Sequence, residues 1–85
     1  SKKKFVSEIT LICDRQASGT ALLEANDGDY ESGDWYTLGT FDLTQMEPKI
    51  PRCGSYEGGR AYRLTHSDNT AFRAEALQIT YTVGT

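Results

Sequence analysis

The sequence predicts an all-β domain: an antiparallel β-sandwich of Greek-key or jelly-roll-like type, or a small barrel, with five to seven strands. Two patterns carry this expectation. Apolar residues recur with a period of two in several short segments, and clusters of Gly, Pro, Asn and Asp separate those segments with no convincing helical period between them. The 85 residues make one domain, 1–85. A chain this short buries only about 60% of the surface its unfolded form exposes, so its stability margin is thin.

Residues 4–14, KFVSEITLICD, give the clearest strand, with Phe5, Ile9, Leu11 and Cys13 on one side of the alternation and Glu8, Thr10 and Asp14 on the other. After a polar turn over 15–19, Thr20–Asn26 alternates again, although LLEA also suits a helix. NDGDYESGD (26–34) holds two glycines and four acids and reads as a loop. Trp35–Leu43 follows as an aromatic and β-branched strand, with Leu38 opposite Phe41 and Leu43 across the pleat.

From Thr44 to Gly59 the chain carries both prolines, Pro48 and Pro51, and three glycines. These remove backbone donors and favour turns, so the segment reads as a long connection of the kind that crosses between the sheets of a sandwich. Arg60–His66 places Arg60, Tyr62, Leu64 and His66 on one face, and SDNT (67–70) makes a turn. The run Phe72–Val83 ends in a core strand with Leu77, Ile79, Tyr81 and Val83 facing one way, after a change of phase between Ala76 and Leu77 that suggests a bulge.

Composition narrows the function. At 38% hydrophobic and 25% charged residues the chain is globular. A net charge of −3, with basic residues clustered only at Lys2, Lys3 and Lys4, argues against nucleic acid as the partner, since phosphate binding depends on a basic patch. The lysine run itself reads as a solvated tail. No apolar stretch reaches the ~18 residues of a membrane helix, which argues against membrane insertion. Cys13 and Cys53 form an even count, and a bridge closing a loop of ~40 residues would contribute roughly 3 to 4 kcal/mol in the chain-entropy model. The expectation is therefore a Cys13–Cys53 disulfide in a secreted or extracellular domain whose leader has been removed, against the alternative of two buried thiols.

Asp27, Asp29, Glu31 and Asp34 are the densest group of hard oxygen ligands, spaced so that they could fold round Ca2+. The match to an EF-hand loop is partial, because Ser32 stands where that loop needs glycine and no Glu follows at the twelfth position. The plainer reading is an acidic turn. Tyr30, Trp35, Tyr36, Tyr56 and Tyr62 lie beside turns, where a sugar could stack its C–H face on a ring while Arg60 or an acid binds its hydroxyls. Alternation lets only one of Trp35 and Tyr36 point inward, so the other is displayed.

Catalytic machinery is weakly signalled. His66 stands beside Ser67 and Asp68, but adjacency in sequence is not triad geometry. No zinc spacing occurs, and GSYEGGRAYR lacks the lysine of a phosphate loop. The expectation is a non-catalytic extracellular module that binds carbohydrate in a lectin-like, calcium-assisted manner, with no enzyme activity. The alternative is a protein-interaction domain, such as a secreted, toxin or viral accessory piece or an inhibitor of a partner enzyme, using the Tyr- and Arg-rich segment 53–63.

Overall fold

A computed structural model describes residues 2–28, 33–66 and 73–84. The described residues form seven strands and no helix: β1 (Lys4–Cys13), β2 (Thr20–Asn26), β3 (Tyr36–Asp42), β4 (Lys49–Pro51), β5 (Ser55–Tyr56), β6 (Ala61–His66) and β7 (Ala74–Val83). They build two antiparallel sheets. In the first, β1 lies between β7 on one side and the short β4 and β5 on the other; in the second, β2 lies between β3 and β6. The chain starts in the first sheet, crosses for β2 and β3, returns for β4 and β5, crosses again for β6 and ends in the first sheet as β7.

The core between the sheets is made of Val6, Ile9, Leu11, Ala21, Leu23, Phe41, Leu43, Ile50 and Cys53. Its position follows from alternation on the two central strands, whose inward-facing residues are buried, while on the other face Glu8, Ile12, Leu22 and Glu24 are half-buried and Ser7 and Thr20 are exposed. The flank between β3 and β4 is tightly closed. A Cβ on Gly39 would meet Ile50 Cγ2 at 3.1 Å, so glycine there lets the Ile50 side chain press against the β3 backbone.

Two irregularities change the faces that simple alternation gives. The pairing of β1 with β7 shifts between Val6 and Glu8, which leaves Ser7 extra. Val6 therefore enters the core at 3% exposure and Phe5 turns out at 46%, the reverse of the alternation read from 4–14. A second shift between Leu23 and Glu24 in the β2–β3 pairing leaves Leu38 extra. Leu38 then packs against the core beside Phe41 and Leu43 instead of opposing them.

The 44–59 segment crosses between sheets as expected, and it also contributes β4 and β5. Glu47 and Arg52 adopt left-handed backbone angles (φ 47° and 57°) on either side of β4, which turn the chain sharply enough for three residues to pair with β1. The last run differs from its expectation. β7 pairs with β1 but lies at the edge of its sheet, so only Leu77 and Ile79 reach the core, half-buried, while Tyr81 and Val83 are each 51% exposed. Its bulge sits at Glu75, where the register passes from Ile12–Ala76 to Cys13–Ala74, slightly before the phase change seen in the sequence.

The expected disulfide does not form: Cys13 and Cys53 are both free thiols. The topology explains why. Cys13 ends β1, whereas the Cys53 N–H donates to the Val6 carbonyl near the start of the same strand (2.9 Å). Seven residues of extended chain separate those points, on the order of 20 Å, whereas bridged Cα atoms lie within about 7 Å. The Cys53 thiol instead donates to the Ile50 carbonyl at 3.2 Å. Burial pushes both thiols above the usual range, aided at Cys13 by the charges of Asp14 and Glu75 and opposed at Cys53 by Arg60.

Candidate functional site

One end of the second sheet gathers most of the chemistry that the sequence singles out. Antiparallel register places Ala25 opposite Tyr36 on one side and Tyr62 on the other, so these three share the inner face. Asp27 continues that face two residues after Ala25, and Arg60 lies two before Tyr62. The result is a polar closure over the end of the core.

Arg60 is the centre of it. Only 1% of its side chain is exposed. Its Nε donates to Asp27 Oδ1 (2.6 Å), Nη1 to the Cys53 carbonyl (2.7 Å), and Nη2 to Asp27 Oδ2 and the Ser55 carbonyl (both 3.3 Å). The guanidinium also stacks on Tyr56 with 4.5 Å to the ring centroid. Gly54 stands between the two accepting carbonyls with a left-handed φ of 74°, and a Cβ there would come within 3.6 Å of Nη2. Arg60 thus ties β6 to the β4–β5 connection of the opposite sheet.

Asp27 receives a third donor, the Tyr36 hydroxyl, on Oδ2 at 2.6 Å. The charges follow from this network. Burial works against ionising Asp27, but the hydrogen bonds from Arg60 and Tyr36 outweigh it and hold the carboxyl below its ordinary range. Tyr36 is pushed up to about 12, by burial first and then by donating to a carboxylate it would have to face as an anion. Burial likewise opposes the charge on Arg60, and Asp27 more than offsets it. Burial also raises Tyr62, whose hydroxyl is enclosed beside Arg60 without a well-aligned hydrogen bond.

The outer face of the same sheet end is different in character. Glu24 and Arg63 pair directly across β2 and β6, with Arg63 Nε donating to Glu24 Oε1 at 3.0 Å. Trp35 lies next to them, half-buried, and the Arg63 guanidinium stacks 4.4 Å from its ring centroid. Of the adjacent aromatics, Tyr36 turns toward Asp27 and is still 40% exposed, while Trp35 turns to the other face and is half-buried beside Arg63, so neither ring enters the core. A shallow cavity of about 270 Å³ opens at this end, lined by Asn26, Asp27, Gly28, Gly59, Arg60 and Ala61. The Asn26 side chain braces its rim by accepting the Gly28 N–H at 3.0 Å.

The structure thus brings Asp27, Trp35, Tyr36, Tyr56, Arg60 and Tyr62 to one end of the molecule, but it spends several of them internally. Both Asp27 oxygens are engaged by protein donors, so Asp27 in this arrangement is an anchor for Arg60 and not an open ligand. Tyr56 lies between Arg60 and Lys4, whose ammonium sits 5.4 Å from its centroid. Asp29, Tyr30 and Glu31 fall outside the described residues, and among the described residues no group of three or more His, Cys, Asp or Glu side chains is placed to hold a metal. His66 is half-buried at the far end of β6. Sequence reasoning misses Glu24, and it reads Arg63 only as part of the Tyr- and Arg-rich segment 53–63, not as the partner of Glu24. Their signal was opposite charges on neighbouring strands, invisible until β2 and β6 are known to pair. The chain matches no family model, no curated protein and no solved structure.

Proposed function

We propose that this chain is a non-catalytic binding module that recognises carbohydrate on the outer face of the β3–β2–β6 sheet, around Trp35. The observation that carries the reading is Trp35 itself. It is a half-buried aromatic outside the core, immediately before β3, with a charged pair beside it and a cavity at the same strand ends. A pyranose offers an apolar C–H face to such a ring, and its hydroxyls can take both donors and acceptors, which Arg63, Glu24 and the cavity rim supply. Holding Arg63 with Glu24 reduces the ordering cost of using its donors.

Calcium assistance is not part of this proposal, because the Asp27 carboxylate is already satisfied by Arg60 and Tyr36. The extracellular placement rested on a bridge the thiols do not make, and it is not carried forward. The protein-partner alternative relied on the 53–63 segment, where Arg60 and Tyr56 are occupied in the inter-sheet clamp.

The test is a glycan array followed by calorimetry, each run with calcium and with EDTA. Binding that is unchanged by EDTA and falls at least tenfold in Trp35→Ala is the expected result. Absence of sugar binding in both conditions, or binding indifferent to Trp35→Ala, overturns the reading. Sugar binding abolished by EDTA would return the acidic loop to the site.

A further inference from the structure

Among the described residues, the outer edge of β7 is the longest strand edge without a pairing partner. Natural sheets blunt their edges with short strands, proline, lysine or bulges. The opposite edge of the same sheet follows that rule: β4 is three residues long and contains Lys49 and Pro51. β7 runs for ten residues, AEALQITYTV, with one bulge near its start, no proline and one charged side chain, Glu75. Among the described residues it pairs with β1 alone.

The backbone direction along β7 is fixed by its bonds to β1. The Thr80 carbonyl accepts from Ser7 Oγ at 3.2 Å and the Gly84 N–H donates to the Lys3 carbonyl at 2.7 Å, so the even-numbered residues of this stretch aim at β1. Backbone groups alternate sides along an antiparallel strand. Leu77, Ile79, Tyr81 and Val83 therefore direct their N–H and C=O groups outward from the sheet. These are the same residues whose apolar side chains lie on the core-facing side, where Tyr81 and Val83 are left half exposed.

We infer that this edge pairs with β7 of a second copy of the chain, antiparallel about a two-fold axis at Ile79, which joins the two β1-centred sheets into one. Three features point to a second copy as the occupant. An isologous pairing about Ile79 sets Leu77 opposite Tyr81 of the other copy, and both residues present outward backbone groups, so hydrogen bonds and apolar side chains match together. The one charged side chain of the strand does not face its own kind, because Glu75 falls opposite Val83. The strand ends also differ in charge: Glu75, with Asp14, Arg15 and Arg73 near it in the chain or across the pairing, marks one end, and Lys3 and Lys4 flank Val83 at the other. Antiparallel pairing brings Glu75 of each copy to the lysine-flanked end of its mate. The Trp35 face is on the other sheet and stays open.

Sedimentation equilibrium or light scattering across a concentration series tests this on the chain as it is. The expected result is a mass that rises to twice that of one chain. Tyr81→Pro removes an outward donor without touching the β1 ladder, and Tyr81→Lys places a charge on the edge with the backbone intact. Each should return the mass to that of a single chain. Circular dichroism identifies any loss of fold, and if Tyr81→Pro unfolds, Tyr81→Lys decides. A single-chain mass at every concentration, or a dimer undiminished in a folded Tyr81→Lys protein, overturns the inference.

Discussion

A guanidinium with almost no solvent contact is stable only where its donors meet acceptors, and Arg60 meets four oxygens from three residues. Truncating it leaves the Asp27 carboxylate and two carbonyls without their donor. Arg60→Ala should therefore lower unfolding free energy by about 3 kcal/mol, less than the loss of a fully buried pair because Asp27 keeps some water. Urea denaturation measures it. Asp27→Asn, which retains an acceptor, should cost less than Arg60→Ala.

The same cluster gives the protein two pH limits. Asp27 titrates lower in the folded state than in the unfolded one, so its contribution is complete above the ordinary carboxylate pKa of about 4 and fades as pH falls through the lowered value. Stability should therefore fall less between neutral and acid pH in the Asp27→Asn protein than in the original chain, converging with it once Asp27 is protonated. Tyr36 runs the other way. Its folded value of about 12 exceeds the free phenol's, so its contribution is whole below about pH 10 and is lost as pH rises toward 12. Phenolate absorbance should show a tyrosine titrating near pH 12 that vanishes in Tyr36→Phe. A curve unaltered by that substitution would contradict the Tyr36–Asp27 hydrogen bond.

Among the strands, the bulges decide which residues are core. Phe5 and Val6 make the sharpest contrast, since plain alternation from Ile9 backward puts Phe5 inside and the extra residue at Ser7 exchanges them. Phe41→Ala should cost about 3 to 5 kcal/mol, as a fully buried phenylalanine does, and Phe5→Ala less than about 1 kcal/mol. Equal costs would mean that β1 keeps a regular register. Central strands were legible from the sequence because burial on one face writes a period of two. β4 and β5 were not, because two or three residues carry no period, and what places them is left-handed turns at Glu47 and Arg52 together with pairing to β1.

Over the whole molecule, connectivity has the largest consequences. The β1 strand spans the distance between Cys13 and Cys53, so the two thiols sit at opposite ends of the sheet. Reductant should leave the melting temperature unchanged. A fall of several degrees, the size expected from losing a bridge in so small a domain, would contradict that placement. The two thiols should also react unequally with a disulfide reagent, with Cys53, 1% exposed, the slower.

What the sequence determined by itself was the all-β class, the approximate strands β1, β2, β3, β6 and β7, and the residues that carry side-chain chemistry, because period and composition are local properties. Tertiary structure decided what those residues do. Arg60 and Asp27, 33 positions apart, become a clamp and not a ligand site, Tyr36 turns to Asp27 and Trp35 to Arg63, Cys13 and Cys53 are held apart, and β7 becomes a sheet edge. Each of these depends on which strands are neighbours and in what register, and pairing across sheets is set by the summed burial of the core, which no single segment encodes.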